Sequence, residues 1–195
     1  MPKMKNILCS VFCSLLLIGG YSSASAAGES DKAPKYTIEV EQEGKVLGSI
    51  IVELFPALAP KHCANFDSLV KIRFYDGTAF HRVDPDFMIQ GGDPNSRSKD
   101  PATWGFGDPG QTKVPAEFNK YSHKRGTLSA ARGNDVNSAD SQFFICVKDS
   151  EFLDGEYTAY GRVVSGMEIV DKIAETPRDD ERPRKKITMK IVRTP

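Results

Sequence analysis

Short apolar segments, each cut off by glycine, proline or aspartate, constrain this chain more than any other feature. They are Ala79 to Val83, Phe87 to Gln90, Thr127 to Ala131, Phe143 to Val147 and Ala159 to Val164. Segments of this length fit strands and are too short for most buried helices. Other segments alternate with period two. Tyr36, Ile38 and Val40 interleave with Thr37, Glu39 and Glu41, and Ile50, Val52 and Leu54 share a face beyond a turn at Glu43-Gly44. Those two read as a hairpin of half-buried strands. Ile187, Met189 and Ile191 predict a last strand in the same way.

Only two stretches carry helical spacing. Pro56 and Pro60 end a strand and open a helix, in which Cys63, Phe66, Leu69, Val70 and Arg73 recur at intervals of three and four. Tyr75-Asp76-Gly77 closes it with a turn. Ser165-Gly166-Met167-Glu168 reads as a capping box that opens a helix over 167–174, with Ile169, Val170 and Ile173 inward. A long loop from Gly91 to Lys124 is rich in Gly, Pro, Asp and Ser, which in a compact domain points to function. Arg178 to Lys186 is a run of mixed charge and reads as a solvated loop. Many strands with two short helices predict an all-β barrel or sandwich with helical caps.

The amino terminus does not belong with this pattern. Lys3 and Lys5, an apolar stretch from Ile7 to Ile18, and Ala24-Ser25-Ala26 read as a secretion signal over 1–26, cleaved after Ala26 or Ala27. The apolar run falls short of the roughly 20 residues needed to span a bilayer. A flexible leader then covers 27–35, and a single domain covers 36–195. The expected location is the periplasm or the medium, with no membrane attachment after cleavage. The chain has 26 basic and 26 acidic residues, so no charge bias points to nucleic acid. Cys9 and Cys13 leave with the signal. Cys63 and Cys146 remain, outside any Cys-x-x-Cys pair, and read as buried thiols rather than a disulfide.

Familiar catalytic motifs are missing. The sequence has no Gly-x-Ser-x-Gly elbow and no His-Glu-x-x-His helix. Gln90-Gly91-Gly92-Asp93 lacks the Walker pattern and reads as a tight turn. His62, His81 and His123 have no ligand spacing, and Ser129 and Ser141 have no base that the sequence reveals. No metal and no cofactor are expected. What stands out is Arg82 among many apolar and aromatic side chains.

Phe80-His81-Arg82-Val83, Phe87-Met88-Ile89-Gln90-Gly91-Gly92-Asp93 and Ser141-Gln142-Phe143-Phe144-Ile145-Cys146 resemble, in that order, the central signatures of the cyclophilins. Leu153-Asp154-Gly155 and Gly161-Arg162-Val163 fall where that family has similar motifs. The resemblance covers about residues 36–192. It implies a closed, eight-stranded antiparallel barrel with a helix over each open end. It also implies peptidyl-prolyl cis–trans isomerase activity in a groove on the barrel's outer face.

That activity accounts for the missing nucleophile and metal. Rotation about an Xaa–Pro bond is opposed by amide resonance, and the transition state frees the nitrogen lone pair. By resemblance, Arg82 donates to the prolyl nitrogen and Gln90 orients the substrate backbone. Phe87, Met88, Phe144 and Leu153 form the slot for the proline ring. Ala131 and Arg132 present backbone groups, and the family usually has Asn at the latter position. Phe152 and Tyr157 complete the substrate-binding set, where many eukaryotic members have Trp and His. Phe152 has no indole N–H, so only weak binding of cyclosporin-type ligands is expected. The loop from Pro94 to Pro115 carries Trp104, the only tryptophan, which reads as an anchor on the barrel, with a groove-lining role as the alternative. The implied partners are proline-containing polypeptides, met as a monomer. A rival reading is a non-catalytic module that holds such segments. The joint presence of Arg82, Gln90 and the apolar slot argues against it.

Overall fold

The structure, a computed structural model, describes residues 33–98 and 100–195. The secretion signal read over 1–26, and the leader as far as residue 32, lie outside the described residues. The leader ends sooner than expected, because Lys35 already begins the first strand.

Strands β1 (Lys35–Gln42) and β2 (Lys45–Leu54) form the expected hairpin. Its turn places Glu43 and Gly44 at positive φ, 51° and 75°, which matches the twist of two-residue hairpins. Next come β3 (Ala79–Val83), β4 (Met88–Asp93), β5 (Thr127–Ala130), β6 (Phe143–Cys146) and β7 (Ala159–Ser165). A two-residue pair, β8 (Arg178–Asp179) and β9 (Arg182–Pro183), precedes β10 (Ile187–Arg193). Eight strands close antiparallel in the order β1-β10-β3-β4-β6-β5-β7-β2, so the architecture is a barrel and not a sandwich.

Two helices cap this barrel. Helix α1 (Pro60–Lys71) buries Cys63, Phe66 and Val70 as its spacing predicts, together with His62. Arg73 lies beyond its end, exposed, at φ 58°. Ala59 offers no side-chain cap. The long loop supplies one instead: the Glu117 carboxylate accepts from the Lys61 and His62 backbone N–H groups, each at 3.0 Å. A carboxylate there satisfies orphan donors and opposes the positive end of the helix.

Helix α2 (Met167–Ala174) buries Val170 and Ile173, while Ile169 is half-buried. The capping box does not form. Ser165 is the last residue of β7, and Gly166 takes the cap position at φ 92° with no side-chain cap. A Cβ on Gly166 would sit 2.3 Å from Ser49 O, so the close approach to β2 requires glycine. Gln90-Gly91-Gly92-Asp93 is likewise no turn; it continues β4. A Cβ on Gly91 would lie 2.6 Å from Met189 Cε, inside the barrel.

Alternation along the strands separates two apolar clusters. The larger fills the barrel, where Phe143 meets Phe66, Tyr75 and Phe80 with ring centroids 6.0, 5.8 and 6.3 Å away. The smaller joins Met88, Ala131, Phe144, Cys146 and Leu153, flanked by Phe87 and Tyr157. On β6, Phe143 and Ile145 belong to the first cluster, and Phe144 and Cys146 to the second. Both faces of that strand are buried, so its sequence is apolar without a break. Cys63 and Cys146 are free and buried, one in each cluster. Burial pushes both thiols up to about 12.

Candidate active site

Arg82 owes its direction to a bulge. In β3, Phe80 pairs with Gly91 and Arg82 with Gln90, so two residues of β3 cover one step of β4. His81 is the extra residue. Strict alternation would turn Arg82 to the same side as Phe80. With the bulge, Phe80 and Val83 both enter the barrel core and Arg82 faces outward beside Gln90.

Strand β4 supplies Met88 and Gln90 and β6 supplies Phe144, while Phe87 just precedes β4, Ala131 and Arg132 just follow β5, and Leu153 and Tyr157 lie between β6 and β7. Arg82, Phe87, Met88, Gln90, Ala131, Arg132, Phe144, Leu153 and Tyr157 line one cavity of about 100 Å³. Nine of the ten residues implied by the resemblance thus converge on one cavity. The tenth, Phe152, does not line it. Phe152 and Leu153 share a 3₁₀ turn (Glu151–Leu153) that sends Leu153 inward and leaves Phe152 72% exposed. The Phe152 ring rests on Phe87 at 5.5 Å, on the rim.

The polar groups are held. Gln90 Nε2 donates to Gln142 Oε1 at 3.2 Å, and Gln142 Nε2 donates to Gly105 O at 3.3 Å. Strand β5 ends at Ala130, but Ala131 N still donates to Gln142 O at 3.0 Å, so the Ala131 carbonyl and the Arg132 backbone form the groove's edge. The Arg132 side chain folds back, with its guanidinium 4.4 Å from the Tyr157 ring centroid and donating to Glu156 O and Gly133 O. It walls the pocket, a role the sequence did not suggest.

Arg82 makes a two-pronged ion pair with Glu181: Nε to Oε2 at 2.6 Å and Nη2 to Oε1 at 2.9 Å. This hydrogen-bonded pairing raises the arginine's pKa and lowers that of Glu181, so both stay charged. Glu181 sits between β8 and β9, inside the stretch read as a solvated loop. Its backbone O accepts from Val83 N at 2.7 Å, which ties that stretch to β3. A charge run gives no sign of such a contact.

A buried chain backs the pocket. His123 stacks on Phe144 at 6.2 Å and 18°. Its Nδ1 lies 2.8 Å from Asp154 Oδ1, and its Nε2 lies 2.9 Å from Ser129 Oγ. Ser129 therefore has an imidazole partner that the sequence did not reveal. It is fully buried, and its single hydroxyl proton has two acceptors within reach, His123 Nε2 and Thr158 O at 3.0 Å, so it supports the floor and cannot meet a substrate. All three histidines are buried; packing, not surface exposure, describes them. Among the described residues, no group of three or more His, Cys, Asp or Glu side chains could hold a metal ion.

Two further cavities flank the first. One of about 240 Å³ shares Gln90, Ala131 and Arg132 with it, and one of about 430 Å³ shares Arg82 and Gln90. The latter is bounded by half-buried Trp104 and exposed Phe106, so Trp104 lines the groove's extension. Gln90 lines all three.

Comparison with known proteins agrees with this geometry. Residues 37–194 match the family model described as cyclophilin type peptidyl-prolyl cis-trans isomerase/CLD. A probable peptidyl-prolyl cis-trans isomerase of Brucella suis biovar 1 is 42% identical over 177 residues, covering 89% of this chain and 86% of the relative. A peptidyl-prolyl cis-trans isomerase of Acinetobacter baylyi is 46% identical over 136 residues, covering 67% of this chain and 69% of the relative. The crystal structure of a Cryptosporidium parvum cyclophilin type peptidyl-prolyl cis-trans isomerase in the presence of the dipeptide Ala-Pro is also similar. It has a TM-score of 0.72 at 29% identity and covers 83% of this chain and 99% of that one. With a barrel of matching strand count and a groove assembled on its outer face, this chain belongs to the cyclophilin-type peptidyl-prolyl cis-trans isomerases.

Proposed function

We propose that this isomerase acts on Xaa–Pro bonds of other exported proteins, with Arg82 as the donor to the prolyl nitrogen. The observation that carries the proposal is the shared cavity: Arg82 and Gln90 open onto the same small space as Phe87, Met88, Phe144 and Leu153. The Ala-Pro dipeptide present with the Cryptosporidium relative supports a proline-sized occupant.

The mechanism forms and breaks no covalent bond. The apolar slot holds the pyrrolidine ring. Gln90, with one of its two amide N–H donors held by Gln142, offers Oε1 to a substrate backbone N–H. The Ala131 carbonyl and the Arg132 backbone pair with the backbone before proline, as an added strand would. As the amide twists, resonance worth about 18–20 kcal/mol of barrier is lost and the nitrogen lone pair becomes an acceptor. An Arg82 N–H aimed at that lone pair bonds the transition state and not the planar ground state, which is what raises the rate. Each tenfold gain needs about 1.4 kcal/mol of such preference.

Arg82→Ala should lower kcat/KM by about 10²–10³-fold in a protease-coupled assay on an Xaa–Pro peptide. Unchanged activity would sink the donor role.

The pattern of residues 1–26 supports export to the periplasm or the medium and a role in folding there as a monomer. Sequencing the amino terminus of the mature chain should give Ala27 or Gly28; a chain still beginning at Met1 in the exported fraction, or no exported chain, overturns this. Phe152, exposed on the rim and without an N–H donor, supports weak affinity for cyclosporin-type ligands.

A further inference from the structure

We infer that Glu181 is a positioning residue for catalysis: it sets the plane and aim of the Arg82 guanidinium. This rests on Arg82 being the donor to the prolyl nitrogen.

Arginine carries five N–H donors on a planar fork at the end of a flexible stem. The Arg82 side chain is 39% exposed, so packing alone does not choose its rotamer. Glu181 grips the Nε and Nη2 edge with both oxygens. Two parallel bonds fix a plane where one bond fixes only a direction. Nη1 is outside the grip and is left to donate to a substrate. An aimed donor is worth more than a mobile one, because its ordering is complete before the substrate arrives.

The carboxylate is itself held. Glu181 O accepts from Val83 N at 2.7 Å, next to the arginine it grips. The β8–β9 pair flanks it, and the turn between them puts Asp180 at φ 54°. Arg184 N donates to Pro177 O at 2.9 Å across the base of this arm, and its Nε pairs with Asp179 at 2.8 Å. Pro183 is buried. A carboxylate placed by that many contacts is not an adventitious surface partner.

Charge points the same way. The reacting nitrogen belongs to a neutral amide, so it needs a directed hydrogen bond and not a net positive field. Pairing also occupies the guanidinium edge that client carboxylates would otherwise take. The Glu181 side chain is 46% exposed, and pairs this exposed add little to stability. Loss of Glu181 should therefore be felt in the rate and not in the fold.

The test is a double-mutant cycle on the full chain. Glu181→Ala should lower kcat by about 10- to 100-fold with KM changed less than about twofold, and leave the thermal midpoint near that of the wild type. Glu181→Gln, which keeps one acceptor, should recover part of the loss. In an Arg82→Ala background, Glu181→Ala should change nothing further. The NMR signal of Arg82 Nε–H should exchange slowly with water in the wild type and quickly in Glu181→Ala. If Arg82→Ala is itself harmless, the donor reading fails and this inference with it. If Arg82→Ala is damaging, three results overturn the inference alone. They are full activity in Glu181→Ala, an equal loss with and without Arg82, and a loss confined to KM.

Discussion

Phe143 and Phe144 are neighbours on one strand with opposite duties. Phe143 is fully buried and meets three other aromatic rings inside the barrel. Phe144 is almost as buried, at 4% exposed, but it lines a cavity that opens to solvent. The inner cluster is closed on every side, so its packing is converted into stability. The outer cluster leaves about 100 Å³ unfilled beside apolar side chains. An unfilled apolar space sacrifices contacts that a closed core would make. The contrast teaches that burial alone does not distinguish core from site. What distinguishes them is whether the space next to a buried ring is already occupied.

Substitution of the two rings probes this division most strongly. Phe143→Ala should cost about 3–5 kcal/mol, read as a lower urea midpoint at constant slope. Its remaining folded fraction should keep near-normal activity. Phe144→Ala should shift the midpoint by less than half as much while lowering kcat/KM at least about tenfold. Equal stability losses, or equal activity losses, would erase the distinction.

A weaker effect comes from acid. Asp154 holds His123 behind Phe144, so it belongs to the outer cluster's support. The Ser122 hydroxyl above all, then the His123 N–H and ring, lower its pKa from 3.8 to about 2. Its folded pKa is depressed, so its contribution is complete above pH 3.8 and is lost as the pH falls toward 2. Its side chain is 37% exposed, so screening shrinks the contribution. The urea midpoint of the wild type should fall across that window more than that of Asp154→Asn. Parallel pH profiles would show that the carboxylate does not support the pocket.

The fold was legible where one strand face dominates. Tyr36, Ile38 and Val40 alternate with polar residues and are buried as that pattern predicts. The β3 boundaries coincide with the apolar segment Ala79 to Val83. The choice of barrel over sandwich was not legible from periodicity, because closure depends on pairing between β1 and β10, at opposite ends of the domain. The capping box failed for a tertiary reason: Gly166 must pass close to β2, and that contact overrides a local preference. The site residues came through the family resemblance. Periodicity alone would have assigned Met88 and Phe144 to the core, since a strand buried on both faces shows no alternation. Glu181 was hidden for the opposite reason. Its neighbours are charged, and a charged run reads as solvent-facing until a distant strand is known to lie against it. The Ser129–His123–Asp154 chain depended in the same way on distance, since 31 residues separate His123 from Asp154.

The bulge at His81 can be viewed as a dislocation, an extra half-row that shifts the phase of everything beyond it. In an unbroken lattice the four residues from Phe80 to Val83 would alternate, and the arginine would fall on the barrel side. The defect is pinned at both ends, because Phe80 before it and Val83 after it are both locked into the core. It cannot glide along β3 without dragging a buried side chain into water. The chemistry of this protein is thus mounted on a lattice fault that the core itself prevents from healing.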